Sequence, residues 1–296
     1  MPEQGIDFAP RTALLTYAEI LTVCRVLAAH GVEKVRLTGG EPLVRRDLPV
    51  LVRGLAEWFP RLAMTTNGIL LPKYLDELAA AGLRHYNVSL DTLRPDRFLR
   101  ITRRDDFQAT WLAIQQLLAR GLPVKINVVV MRGQNDDELA DFVALTQSHA
   151  LDVRFIEAMP FNDDDGNHGV FVSYGEMLER IRHHYPELAQ LDEPSGSAVS
   201  FRVPGARGRV GIIPAYSRSL CGSCDRLRLT PRGTLLNCLY STKGLELLPL
   251  LRGGVGEEEL AELIQHFVRG KYATGHETER HEQAGAVFAS MTSIGG

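Results

Sequence analysis

At 296 residues, 45% hydrophobic and 23% charged, the chain has an ordinary globular composition and room for one large domain or two modest ones. A net charge of −3 gives no global attraction to nucleic acid or membrane, so an anionic ligand must be held by a local cluster of Arg and Lys. No apolar run approaches the ~20 residues that span a bilayer, Met1-Pro2-Glu3-Gln4 is no signal peptide, and the cysteine usage suits a reducing compartment, so the cytoplasm is the expected location.

The first predicted helix covers 16–30. Thr16 and Glu19 stand at capping-box spacing, and Gly31 stops the helix. Ile20, Cys24 and Leu27 fall at i, i+4 and i+7, which marks Cys24 as a packing residue. Strands are then expected at 34–38, 61–66, 85–90, 123–131 and 152–158. Between them the pattern predicts helices at 47–58, 72–81, 95–102, 106–120 and 136–149, with Pro60, Gly82 and Gly121 as stops. Such alternation builds a parallel sheet with helices outside, either doubly wound or curled into a barrel.

The two faces of each strand separate these architectures. Val35 and Leu37 oppose Arg36, Thr38 and Gly40; Leu62 and Met64 oppose Ala63, Thr65 and Asn67. Tyr86, Val88 and Leu90 oppose His85, Asn87, Ser89 and Asp91, and the aliphatic face of 123–130 opposes Lys125, Asn127 and Val129. Strand 152–158 alternates less cleanly. A doubly wound sheet covered on both sides reads as nearly continuous apolar strands, and a closed barrel fills its lumen with aliphatics. One polar face instead predicts an α/β fold built as an open, partial parallel βα barrel whose concave side is a ligand site. Thr38-Gly39-Gly40-Glu41-Pro42, Thr65-Thr66-Asn67-Gly68 and Ser89-Leu90-Asp91-Thr92 lie at strand C-terminal ends, where the sites of such folds gather. Gly39 and Gly40 allow a ligand to approach the backbone.

After Met159-Pro160 the rhythm stops, which divides the chain into 1–160 and 161–296. Phe161 to Gly166 reads as a turn, and Val172 at the twelfth position excludes a calcium loop. A helix at 174–185, a Pro/Ser/Gly-rich stretch at 194–198 and strands at 200–203 and 208–213 lead to Cys221. A hairpin turning at Pro231-Arg232-Gly233 is expected to bring Cys238 back toward Cys224. The last predicted helix, 256–269, opens with Glu257, Glu258 and Glu259 on its positive end, and the tail ends in Gly295-Gly296.

Cys221-Gly-Ser-Cys224 with Cys238 supplies three thiolates, one too few for a closed zinc site and enough for a four-iron cluster with one iron open to substrate. A zinc site completed by a distant histidine, or three unrelated buried thiols, are the alternatives. In Arg226-Leu227-Arg228, i and i+2 share a face on a strand, so both guanidiniums would point the same way. No P-loop occurs, and no G-x-G-x-x-G opens a helix after a strand. His276 and His281 are i, i+5, the wrong spacing for two ligands on one helical face.

Thr38-Gly39-Gly40-Glu41-Pro42 with Ser89-Leu90-Asp91 resembles the radical S-adenosylmethionine superfamily. Val35 to Asp47, Arg154-Phe155-Ile156-Glu157-Ala158-Met159-Pro160, Cys221-x2-Cys224-Asp225-Arg226-Leu227-Arg228-Leu229-Thr230 with Cys238, and Gly295-Gly296 narrow the resemblance to the GTP 3′,8-cyclases, the MoaA family of molybdenum-cofactor synthesis. The resemblance covers nearly the whole chain. It implies a partial radical SAM barrel at 1–160 and a C-terminal lobe with a [4Fe–4S] cluster on Cys221, Cys224 and Cys238. It implies S-adenosylmethionine at Gly40, Ser89 and Met159, and GTP at Arg36, Thr65, Lys125, Arg226, Leu227 and Arg228. The terminal glycines match an end that inserts toward the active site. The implied reaction makes a 5′-deoxyadenosyl radical that takes hydrogen from C3′ of GTP, giving 3′,8-cyclo-7,8-dihydro-GTP. A cyclic pyranopterin monophosphate synthase would use that product, and a homodimer is among the arrangements the resemblance allows.

The sequence departs from the family in one respect. The family's first cluster sits on C-x3-C-x2-C followed by Met-Pro, and this sequence begins at Met1-Pro2. The expectation is an N-terminal truncation that removes the first barrel strand and the radical-generating cysteines, leaving the chain inactive as given. The alternative is a truncated, non-catalytic paralogue that binds GTP and one cluster. Other radical enzymes with auxiliary clusters, such as peptide maturases, usually carry more C-terminal cysteines.

Overall fold

Thr16 opens the first helix as its spacing requires: its hydroxyl accepts from the Glu19 amide while the Glu19 carboxylate accepts from the Thr16 amide. The computed structural model describes residues 9–159, 169–192, 198–217 and 221–282. The turn expected at 161–166, most of the 194–198 stretch and the terminal glycines lie outside the described residues. In chain order the elements are α1 (Tyr17–Ala29), β1 (Lys34–Leu37), α2 (Leu48–Ala56), β2 (Arg61–Thr66), α3 (Leu71–Ala80), β3 (His85–Ser89), α4 (Pro95–Thr102), α5 (Phe107–Ala119), β4 (Val124–Val130), α6 (Leu139–Ser148) and β5 (Leu151–Glu157). There follow α7 (Tyr174–His184), β6 (Ala189–Gln190), β7 (Val199–Arg202), β8 (Val210–Ile213), β9 (Arg228–Leu229), β10 (Thr234–Leu236), β11 (Leu245–Glu246), α8 (Leu247–Arg252), α9 (Glu257–Arg269) and α10 (Gly275–Glu282).

Eight strands form one sheet in the order β1-β2-β3-β4-β5-β8-β7-β6. The β3–β4, β4–β5 and β5–β8 pairs are parallel, and β8–β7 and β7–β6 are antiparallel. The fold is therefore α/β with a mostly parallel sheet, as the alternation predicts. By contacts the chain falls into two compact units that do not follow chain order: Met1–Ala63, Asp76–Leu83 and Asp225–Gly296 in the first, Met64–Leu75 and Arg84–Cys224 in the second.

In the second unit the aliphatic strand face is the core. Val88, Ile126, Val153, Phe155 and Ile212 are fully buried. Phe142 of α6 meets Phe155 edge-on at 6.2 Å. Each such side chain contributes roughly 1.5–3 kcal/mol by leaving water. The alternation of β5 is clean once the strand is started at Leu151: Leu151, Val153, Phe155 and Glu157 are buried, and Asp152, Arg154 and Ile156 are half-buried. It looked irregular in the sequence because Glu157, a carboxylate, occupies a core-facing position.

In the first unit Val23 and Val26 of α1, Leu235 of β10, Leu247 of α8, and Leu260 and Ile264 of α9 form the core. By length and composition Arg11–Ala29 would pass for a membrane-spanning helix, contrary to the expectation of no such run. A short 3-10 turn (Arg11–Ala13) and α1 are separate within it, and α1 buries Val23, Cys24 and Val26. The expected hairpin is present, pairing Leu229 with Leu235 and Arg228 with Leu236, and β11 extends it by a third strand. The strand expected through 226–228 begins only at Arg228.

Candidate functional site

On the second unit, the residues that the strand period turns away from the core form rows across the sheet. Asn87 lies beside Lys125, and Lys125 beside Asp152; one step further along, Ser89 lies beside Asn127, and Asn127 beside Arg154. Buried Asn87 donates to Thr65 Oγ1 at 3.2 Å, which ties β2 to the same rows. Ser89 is exposed, whereas Lys125, Asn127, Asp152 and Arg154 are half-buried, so this face is open where the opposite one is sealed.

Charge on this face is positive in excess. Asp152 accepts from Lys125 Nζ at 3.0 Å and from the Arg209 guanidinium at 3.4 Å. Burial alone would raise the Asp152 carboxyl, but Lys125 and Arg209 outweigh it and hold it below the usual range. Burial pushes the Lys125 ammonium down and the neighbouring Arg154 guanidinium adds to that, while Asp152 opposes them. Lys125 and Arg209 thus share Asp152, with the Arg154 guanidinium beside Lys125, an arrangement that suits an anionic ligand. Arg209 reaches Asp152 because a side chain on the preceding Gly208 would collide with the Leu151 carbonyl, so only glycine lets that loop close on β5. Asn127 Oδ1 is buried and accepts no hydrogen bond from the described residues, which offers an acceptor to a ligand donor.

The strand ends are fixed by side chains. Thr66 Oγ1 accepts from the Gly68 amide at 3.0 Å and Asn67 Oδ1 from the Ile69 amide at 2.9 Å. Asp91 accepts from the Val129 amide at 2.9 Å; burial pushes its carboxyl up to about 6, against the opposing effect of that bond. Met159 lies two residues beyond β5 and is half-buried. Cys221 and Cys224 sit on one 3-10 turn, closed by a bond from the Cys224 amide to the Cys221 carbonyl at 3.0 Å, and both are half-buried.

The first unit carries Arg36, Gly40, Arg226, Leu227, Arg228 and Cys238. Although Arg36 keeps surface in water, desolvation of its head group and then the Arg226 guanidinium lower its pKa, so the structure brings these two predicted residues together as like charges. Leu227 and Leu229 pack on the core of this unit, whereas Arg226 is exposed and Arg228 half-buried. Any ligand contact from Leu227 would therefore come from its backbone. Lys271 Nζ donates to the Arg226 carbonyl at 3.2 Å. Gly39 has φ +132°, a conformation that favours glycine, and a side chain built on Gly40 would meet no atom within 4 Å.

None of the four cysteines is in a disulfide. Cys24 is buried, which pushes its thiol up to about 12 and leaves it inert, as its helical spacing implies. The Cys221–Cys224 pair fits two thiolate ligands of one cluster by its donor chemistry, its shared turn and its access to solvent. Among the described residues no group of three or more Cys, His, Asp or Glu side chains is gathered at metal-ligand range. Asp152 and Arg209 were not recognised from sequence, and Arg154 was noted only within a motif. A parallel register set from Leu151 would have found Asp152 and Arg154, whereas Arg209, in a loop, left no periodic signal.

A mostly parallel sheet with a polar face at the carboxyl ends of its strands is compatible with the radical SAM fold, and the matches to known proteins select that fold. The Radical SAM superfamily profile matches residues 5–146, and the Molybdenum Cofactor Synthesis C profile matches residues 151–277. SuiB from Streptococcus suis, solved bound to S-adenosylmethionine, superposes with a TM-score of 0.58 at 14% identity, covering 84% of this chain and 60% of SuiB, and so supports the fold alone. Molybdenum cofactor biosynthesis protein 1 of Bos taurus is 47% identical over 89% of this chain and 42% of its own length. GTP 3′,8-cyclase of Chlorobaculum tepidum is 41% identical over 98% of this chain and 88% of its own length, and that of Moorella thermoacetica is 41% identical over 92% of its length. The chain thus spans less than half the length of the animal relative and most of the bacterial ones. It belongs to the MoaA family of radical SAM proteins.

Proposed function

We propose that this chain is the GTP-binding body of a GTP 3′,8-cyclase, acting in molybdenum-cofactor biosynthesis. The observation that carries the reading is the positive charge on the polar strand face, where Lys125 and Arg209 share Asp152 and Arg154 lies beside Lys125. Lys125 and Thr65 in the second unit and Arg36, Arg226, Leu227 and Arg228 in the first are each assigned to GTP, as the family likeness implies. Each charge-assisted hydrogen bond contributes about 1.5–3 kcal/mol. Gly40, Ser89 and Met159 are assigned to S-adenosylmethionine: Gly40 by an unobstructed backbone, Ser89 by an exposed hydroxyl at a strand end. Cys221, Cys224 and Cys238 are assigned as ligands of one [4Fe–4S] cluster, within a C-terminal lobe taken as 161–296 beside a barrel of 1–160.

When bound, that cluster supplies an iron with an open position for the guanine base, and a second cluster supplies the electron for cleaving S-adenosylmethionine. No C-x3-C-x2-C occurs among the 296 residues, so no residue here is assigned to that second cluster. These residues are assigned binding, and the reaction assigned to the family is cyclisation of GTP to 3′,8-cyclo-7,8-dihydro-GTP. A non-catalytic paralogue that binds GTP and one cluster is favoured by the same absence. A product-consuming cyclic pyranopterin monophosphate synthase, a soluble cytoplasmic setting and self-association follow from the family reading.

The test is anaerobic reconstitution of the chain with iron and sulfide, followed by spectroscopy during a GTP titration. We expect a brown protein with about four irons per chain whose signal shifts on adding GTP. A colourless protein, or a signal indifferent to GTP, would remove the assignment.

A further inference from the structure

Glu157, the last residue of β5, is 1% exposed, and among the described residues it makes no ion pair. Its two oxygens instead collect main-chain donors. Oε1 accepts from the Tyr174 amide at 2.8 Å, and Oε2 accepts from the Tyr216 amide at 2.9 Å and the Ser217 amide at 2.8 Å. The Ser217 hydroxyl reaches both oxygens at 3.0 Å. Tyr174 is the first residue of α7, so the carboxylate also lies at the positive end of a helix. One buried charge thereby joins the end of β5, the start of α7 and the segment at 216–217.

A carboxylate is the group that such a site requires. A carboxamide would turn its own NH2 toward at least one of these amides, leaving two donors facing each other in a buried place. Burying a charge is costly, so its retention here fits a position whose geometry has to be held. Two residues after Glu157 comes Met159, and four residues after Ser217 comes Cys221. All the residues bonded to Glu157 lie in the second unit, together with Cys221 and Cys224.

We propose that Glu157 is a positioning residue for the Cys221–Cys224 thiol pair: by pinning Tyr216 and Ser217 to the end of β5, it sets the place from which the cluster-binding turn departs. The proposal rests on the assignment of Cys221 and Cys224 as cluster ligands. Glu138 provides a matched control in the same unit. It is also fully buried and accepts from Thr92 Oγ1, the Leu93 amide and Arg97, yet its partners are remote in sequence from both cysteines.

The experiment compares the full chain with Glu157→Gln, Ser217→Ala and Glu138→Gln. Hydrogen exchange at residues 216–217 is read before reconstitution, and retained iron per chain after anaerobic reconstitution and desalting. We expect Glu157→Gln to speed exchange of the Tyr216 and Ser217 amides at least tenfold and to lower retained iron at least threefold. Ser217→Ala should move both readouts the same way by less, and it decides the matter if Glu157→Gln does not fold. Glu138→Gln should keep its iron. Wild-type iron retention in Glu157→Gln, unchanged readouts in Ser217→Ala where Glu157→Gln is unfolded, or equal iron loss in Glu138→Gln would overturn the proposal while leaving the cluster assignment standing. A wild-type chain that takes up no iron would overturn both.

Discussion

The strand face of the second unit and the Arg226–Arg228 segment of the first hold positive charge by different means. On the strand face, Lys125 is placed by a seven-residue strand, and much of its charge is committed to Asp152. In the first unit, β9 has only two residues, and the arginines are presented because Leu227 and Leu229 are anchored in the core while Lys271 holds the Arg226 carbonyl. There the Arg36 and Arg226 guanidiniums approach as like charges. An anion gains more where cations repel each other than where a carboxylate already compensates them.

That difference is open to measurement. We expect Arg226→Ala and Arg228→Ala each to weaken GTP binding about 10–100-fold by calorimetry, equivalent to the ~1.5–3 kcal/mol of a charge-assisted bond. Lys125→Met should cost less, because Asp152 loses a partner that was already offsetting it. A larger loss in Lys125→Met than in either arginine variant would reverse the comparison. Unchanged binding in both arginine variants would remove them from the site.

A second comparison lies within the second unit, between two carboxylates of opposite behaviour. Asp152 is held below the ordinary range, so its contribution to stability is present above the unfolded value of ~3.9 and is lost as pH falls through its folded pKa. Asp91 is pushed up to about 6, so its contribution is fully present below ~3.9 and is lost as pH rises through 6. At pH 7 ionised Asp91 therefore lowers stability by up to about 3 kcal/mol. Asp91→Asn keeps an acceptor for the Val129 amide and removes the charge. It should raise stability at pH 7 by about 2 kcal/mol and change it little at pH 4, as read by urea unfolding at the two pH values. A variant less stable than wild type at pH 7 would show that the ionised form of Asp91 is used.

What was legible in the sequence follows the same division. Helix and strand positions in the first half were readable because period 2 and period 3.6 persist over whole elements, and β2 and α4 fall at the expected residues, Arg61–Thr66 and Pro95–Thr102. The polar face, with Thr65, Ser89 and Lys125 on it, was readable for the same reason. The two-residue strands β6, β9 and β11 were not, since two residues carry no period. Nor was α10, whose eight residues hold only small, polar and charged side chains. Arg209 and the role of Glu157 were hidden because their partners are backbone groups or residues distant in sequence.

The smallest expected effect tests whether the two units resist local damage equally. Each contains a complete capping box: Thr16 with Glu19 on α1, and Ser173 with Glu176 on α7. Both glutamates are also tied to an arginine, Glu19 to Arg252 Nε at 2.9 Å and Glu176 to Arg132 at 2.6 Å. The Arg132 bond and the Ser173 amide hold the Glu176 carboxyl at about 2, a shift softened by its exposure to solvent. Thr16→Ala and Ser173→Ala should each cost about 1 kcal/mol, the usual worth of a side-chain cap. Because the folded Glu176 carboxyl sits at about 2, the interaction it makes with Ser173 should fade only as pH falls through that value, which would shrink the Ser173→Ala cost in strong acid. Urea unfolding of both variants at pH 7 and at about pH 2 checks this. A cost in Ser173→Ala that is constant with pH would mean that the Glu176 carboxylate contributes nothing to the cap, and that the serine hydroxyl alone holds the start of α7.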